Sequence, residues 1–165
     1  MKTLPYDIGR QNIVVYFGNV GVSEAAKNII SNADSLTESL ARTFSFGYKL
    51  SQMIESLLKV RRMYSKNDWD GYGGQSVNEE SLENAMRFAM SLPSSVPLPD
   101  IDAIPAGQVV FTWSQGARQT FSVIVGNAKE LSYAGLFGAT KIYGIEYLED
   151  QIPERIISNI QEVYS

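Results

Sequence analysis

At 165 residues, with 44% hydrophobic and 19% charged side chains, the chain is long enough to bury about 70% of its unfolded surface in one domain. It contains no cysteine and no histidine, which excludes a disulfide framework, the usual zinc sites and the Ser-His-Asp and Cys-His nucleophile systems. A net charge of −4 opposes broad attraction to nucleic acid or to an anionic membrane.

Asn12–Val20 is a short β-rich run, ended by Gly18 and Gly21. Ser23 caps a short helix to about Ile30, and Asn32-Ala33-Asp34 ends it. Ser35-Leu36-Thr37-Glu38 is a capping-box pattern and starts a second helix. Leu36, Leu40, Gly47, Leu50, Ile54 and Leu57 form one apolar stripe that lasts to about Tyr64. A straight helix of that length is about 45 Å long, so a bend near Phe46-Gly47 or a projecting helix is expected.

Asn67–Gly74 follows, with two acids, two aromatics and three glycines. This hinge divides an N-terminal part, 1–66, from residues 67–165, the two together forming one compact domain. Ser76-Val77-Asn78-Glu79 is a second capping box, and Leu82, Ala85, Met86 and Ala89 give the core face of a helix ending near Leu92. Pro93, Pro97, Pro99 and Pro105 make a stiff extended connector. Alternation then predicts four strands, on Val109/Phe111/Trp113, Phe121/Val123/Val125, Leu131/Tyr133/Phe137 and Lys141–Tyr147. Short links at Gly116, Gly126-Asn127 and Gly138 make them an antiparallel meander. Pro153 opens a last helix with Ile156, Ile157, Ile160 and Val163 inward. The expected fold is α+β: a helical N-terminal part, then a helix, a four-stranded antiparallel meander and a C-terminal helix.

The hinge admits two readings. As a cation loop, Asp68 and Asp70 take the third and fifth EF-hand positions, but Lys66 and Val77 then occupy the first and twelfth, which fails. A dinucleotide fingerprint fails too, because Ser76 replaces its third glycine and a helix precedes it. The structural reading is favoured: Asp70 caps or turns local backbone, Gly71, Gly73 and Gly74 supply positive φ, and Trp69 and Tyr72 anchor the hinge on the sheet, with Trp69 near Trp113 or Tyr133.

Trp69-Asp70-Gly71-Tyr72-Gly73-Gly74, the Leu92-Pro93 helix end, the proline-rich link and Gly107-Gln108-Val109-Val110-Phe111-Thr112-Trp113 resemble an uncharacterised prokaryotic family with a "WDGYGA"-like motif. The resemblance covers roughly Trp69–Tyr147. Gly74 stands where the family often has alanine, and Gln75-Ser76 where proline often follows. Proteins of this type look like bacterial or phage accessory proteins, some encoded near toxin or defence genes. The resemblance implies an antitoxin-like or anti-defence, anti-CRISPR-like inhibitor and carries no catalytic residue.

Two further patches are candidates. Lys59, Arg61, Arg62 and Lys66 form the basic cluster; cations belong at a helix C-terminus for dipole reasons, and no aromatic platform accompanies them, so nucleic acid is not expected. Phe44, Phe46, Tyr48, Met53 and Val60 lie off the main apolar stripe, which points either to a helix buried on two sides or to a second contact such as a homodimer. Among the acids, Glu79, Glu80 and Glu83 open a helix, and Glu146, Glu149 and Asp150 end a strand. The expected function is non-catalytic protein binding, with a toxin or defence component as partner and no cofactor or metal. Lacking any long apolar run or apolar signal core at Met1–Pro5, the chain is expected in the cytoplasm. The alternative is a small carboxylate-dependent enzyme or nucleotide-binding protein using the glycine-rich loops.

Overall fold

The computed structural model describes residues 24–165, except that the side chains of 24–34, 36–38, 42 and 46 are outside the description. The expected strand at Asn12–Val20, its glycine turns and the Ser23 cap lie outside the described residues. The chain divides into two units, Met1–Ser39 and Leu40–Ser165. Every described residue of the first unit is helical and belongs to α1 (Glu24–Met63). The expected break at Asn32-Ala33-Asp34 and the restart at Ser35 do not occur. None of these residues is proline or glycine, so continuing the helix costs only a few tenths of a kcal/mol each and keeps every backbone bond.

The second unit is an α+β fold. The helix from Leu40 onward turns Met53, Leu57 and Val60 inward. After the Asn67–Gly74 loop comes α2 (Glu79–Ser91). Asn78 is its N-cap, not Ser76: the Asn78 Oδ1 accepts from the Glu80 N–H at 2.8 Å and the Ser81 N–H at 3.4 Å, satisfying two of the orphan donors of the first turn.

A five-stranded antiparallel sheet follows, its strands in chain order: β1 (Asp100–Ala103), β2 (Val109–Gly116), β3 (Gln119–Val125), β4 (Glu130–Phe137) and β5 (Thr140–Tyr147). The four strands expected from alternation are present, and the fifth, β1, sits inside the proline-rich connector. Its four residues fit between Pro99 and Pro105, and it is an edge strand, where a neighbouring proline costs no ladder bond. Its exposure alternates between exposed and half-buried with no buried position, so it carries no core signal in the sequence.

One face of the sheet is the core. Val109, Phe111 and Trp113, Phe121, Val123 and Val125, and Leu131 and Tyr133 point into it, against Leu82, Ala85, Phe88 and Ala89 of α2 and Ile156, Ile160 and Val163 at the closing helix α3 (Glu154–Glu162). The connector is tied down rather than merely stiff. The Lys49 ammonium donates to the Ser94 carbonyl at 2.8 Å, and the Trp113 indole N–H to the Pro97 carbonyl at 2.9 Å.

Two buried polar side chains dock α2 on the sheet end. The Ser81 hydroxyl donates to the Val125 carbonyl at 2.6 Å and accepts from the Val109 N–H at 3.1 Å, and Asn84 donates to the Gly126 carbonyl at 3.1 Å. Ser81 therefore bridges two residues that face each other across β2 and β3. Replacing Ser81 with alanine strips a buried donor and a buried acceptor of their partner, and should cost about 1–3 kcal/mol. Urea unfolding checks this, and an unchanged midpoint would mean water or relaxation takes over both bonds.

Candidate functional site

The Asn67–Gly74 loop is built on side chains that bond backbone. The Asp70 carboxylate accepts from the N–H groups of Tyr72 at 2.9 Å and Gly74 at 2.8 Å, and these bonds hold its pKa below the ordinary carboxylate value. The Asp68 carboxylate accepts from the Gly73 N–H at 2.8 Å, and Asn67 Oδ1 from the Ser76 N–H at 2.9 Å. Asp68, Gly71 and Gly73 all have φ between 61° and 88°, whereas Gly74 does not take the positive φ expected of it. A Cβ at Gly74 would lie 2.8 Å from the Asp70 carboxylate, so the alanine common in the resembling motif would displace that side chain here.

Trp69 and Tyr72 do not lie on the sheet. Trp69 is half-buried, tilts over Tyr64 with ring centroids 4.4 Å apart, and donates its indole N–H to the Gln75 carbonyl at 2.9 Å. Tyr72 is 95% exposed. The reason is that Gly71, between them, is left-handed and turns the chain outward, while the loop fastens to the helix end and to the connector: the Val77 N–H bonds the Tyr64 carbonyl, Gln75 the Pro105 carbonyl and Asn78 the Gly107 carbonyl, all at 2.8–2.9 Å.

One member of the basic cluster is paired with an acid. Arg61 pairs with Glu79 at 3.1 Å, both exposed. Lys59 lines a cleft of about 440 Å³ with Met63, Tyr64, Asp100, Ile101 and Asp102. The Asp102 carboxylate beside the Tyr64 hydroxyl, together with partial burial, holds the phenol pKa above the ordinary tyrosine value. Arg62 and Lys66 are exposed. Of the acids, Glu80 accepts from the Ala128 N–H at 2.9 Å, while Glu146, Glu149 and Asp150 line an open depression of about 570 Å³. Among the described residues no group of three or more Asp or Glu side chains converges to hold a metal, and no helix is long and apolar enough to cross a membrane.

The candidate contact residues of α1 separate. Met53 and Val60 are 5% and 3% exposed and belong to the interior, so they offer no surface for a partner or for a second copy. The Phe46 side chain lies outside the described residues. A second apolar face exists, on other residues: Leu40, Phe44, Tyr48 and Leu58 are 58%, 74%, 66% and 40% exposed. At about 100° per residue they share a sector of about 80°, on the side opposite Met53, Leu57 and Val60. Leu40 does not join the core stripe on which the sequence pattern sets it. Spacing of 3, 4 or 7 joins it to Leu57 and to Phe44 equally well, and periodicity has no means of choosing between two apolar faces of one helix.

No protein-family model, curated protein or solved structure matches this chain. The likeness at Trp69–Gly74 thus stays a resemblance of motif.

Proposed function

We propose that the chain is a non-catalytic protein-binding module and that the second apolar face of α1 carries the contact. The supporting observation is the exposure of Leu40, Phe44, Tyr48 and Leu58 in one stripe, interspersed with exposed Ser51, Glu55 and Arg62. Large side chains aligned at helical spacing suit a hydrophobic groove or a partner helix, and the polar residues between them keep the free protein soluble. The net charge of −4 suits a basic partner. An antitoxin-like or anti-defence inhibitor of a bacterial or phage accessory system is the concrete form of this reading.

Tagged full-length chain expressed in its native host should retain one protein at equal stoichiometry. Phe44→Glu combined with Tyr48→Glu should weaken that complex on the order of 30-fold or more, the scale of a hot-spot loss. Its melting temperature should hardly move, because both side chains already face water. Recovery instead of a bound nucleotide, or of nucleic acid released by moderate salt, overturns the reading.

A further inference from the structure

The two edges of the sheet are unlike. The β1 edge is four residues long, flanked by Pro99 and Pro105, and carries Asp100 and Asp102, all devices that stop a strand from pairing further. The β5 edge is eight residues long with no proline, and presents Tyr143, Ile145 and Tyr147 at 85%, 57% and 56% exposure.

The ladder shows which backbone groups of β5 are turned outward. The Leu148 N–H bonds the Lys129 carbonyl, and this pair continues the β4–β5 register. Bonded pairs alternate along an antiparallel ladder, so Thr140, Ile142, Gly144 and Glu146 spend their N–H and C=O groups on β4. On the far side of β4, the Gly126 N–H bonds the Glu130 carbonyl, in the β3–β4 register, which is the same alternation. Lys141, Tyr143, Ile145 and Tyr147 therefore direct their backbone groups away from the sheet. Among the described residues no other backbone group bonds to that edge.

We propose that β5 pairs antiparallel with β5 of a second copy of this chain, about a two-fold axis at Gly144. This register engages all four outward residues. Lys141 faces Tyr147 of the second copy, Tyr143 faces Ile145, and the two reciprocal pairs repeat across the axis, for about eight ladder hydrogen bonds. On the outer face the pairs are aromatic with β-branched and cation with aromatic, both favourable cross-strand combinations. Charge decides the direction. Arg118 and Lys141 lie at one end of the edge, where the β2–β3 and β4–β5 turns adjoin, and Glu149, Asp150 and Glu146, the last paired with Arg155 at 3.9 Å, at the other, which stays net acidic. Antiparallel pairing sets the basic end of one copy beside the acidic end of the next, and parallel pairing would set like against like. A symmetric pair also closes, leaving β1 at both outer ends of a ten-stranded sheet.

Sedimentation of the full chain across a dilution series tests the pairing. The expected mass is twice 18.3 kDa at high concentration. Ile145→Pro should convert the dimer to monomer without loss of circular dichroism, because that N–H faces outward and bonds nothing on β4. Tyr143→Lys with Ile145→Lys should do the same by setting like charges opposite each other. Hydrogen exchange of the unaltered chain gives a reading independent of any variant: the Lys141, Tyr143, Ile145 and Tyr147 amides should gain protection with concentration. A monomer at every concentration, a dimer unaffected by both variants, or protection of these amides independent of concentration each overturns the proposal.

Discussion

Replacing Trp113 with alanine should lower the unfolding free energy by about 3–5 kcal/mol. The side chain is 1% exposed and lies between Phe111 and Phe121, with ring centroids at 6.4 and 6.5 Å. Its removal opens a cavity at the centre of the sheet face and frees the Pro97 carbonyl, which loses the indole N–H. Trp69→Ala is the companion measurement. That residue contributes one aromatic pair and one hydrogen bond to the Gln75 carbonyl, so about 1–2 kcal/mol is expected. Chemical denaturation of both variants decides the matter. Equal losses would mean that the loop is integral to the core.

Gly107→Ala should be the costliest substitution outside the core. Gly107 has φ +77°, and a Cβ there would lie 2.6 Å from the Ser76 carbonyl oxygen. The left-handed backbone alone costs about 1–3 kcal/mol for a residue with a side chain, and the clash adds to it, because the neighbour is backbone rather than a movable side-chain end. The Gly107 carbonyl also accepts from the Asn78 N–H at 2.8 Å, so the strain passes directly into the α2 cap. Gly71 supplies the comparison: its φ is +73° but nothing lies within 4 Å of an added Cβ. Gly71→Ala should show only the backbone cost. Thermal unfolding of the two variants separates clash from conformation, and equal shifts would show that the Ser76–Gly107 contact relaxes freely.

Much of the fold was legible because the strands alternate cleanly. Phe121, Val123 and Val125 are fully buried while Thr120, Ser122 and Ile124 are half-buried, the signature of a sheet covered on one face. The turn glycines and Pro153 marked element ends for local reasons that need no tertiary contact. Sequence places the α2 cap two residues early, since Ser76 and Asn78 are both good caps; the structure gives the role to Asn78, whose Oδ1 accepts from the Glu80 and Ser81 N–H groups.

The candidate site was less legible, and α1 shows why. Its apolar residues serve two opposite faces, and the sequence records spacing without recording which face meets the sheet. Met53 and Leu57 join the core and Val60 is buried on the same side of the helix; Phe44 and Tyr48 are left outside by the same rotation. Strand β5 has the same ambiguity, since Ile142 on one phase and Tyr143, Ile145 and Tyr147 on the other are all apolar. Composition, alternation and caps by themselves determined an α+β chain with an antiparallel meander and no histidine or cysteine chemistry. Tertiary structure alone decided the short β1, the outward turn of Tyr72, and the choice of inward face on α1 and β5, because each depends on long-range pairing that local periodicity leaves degenerate.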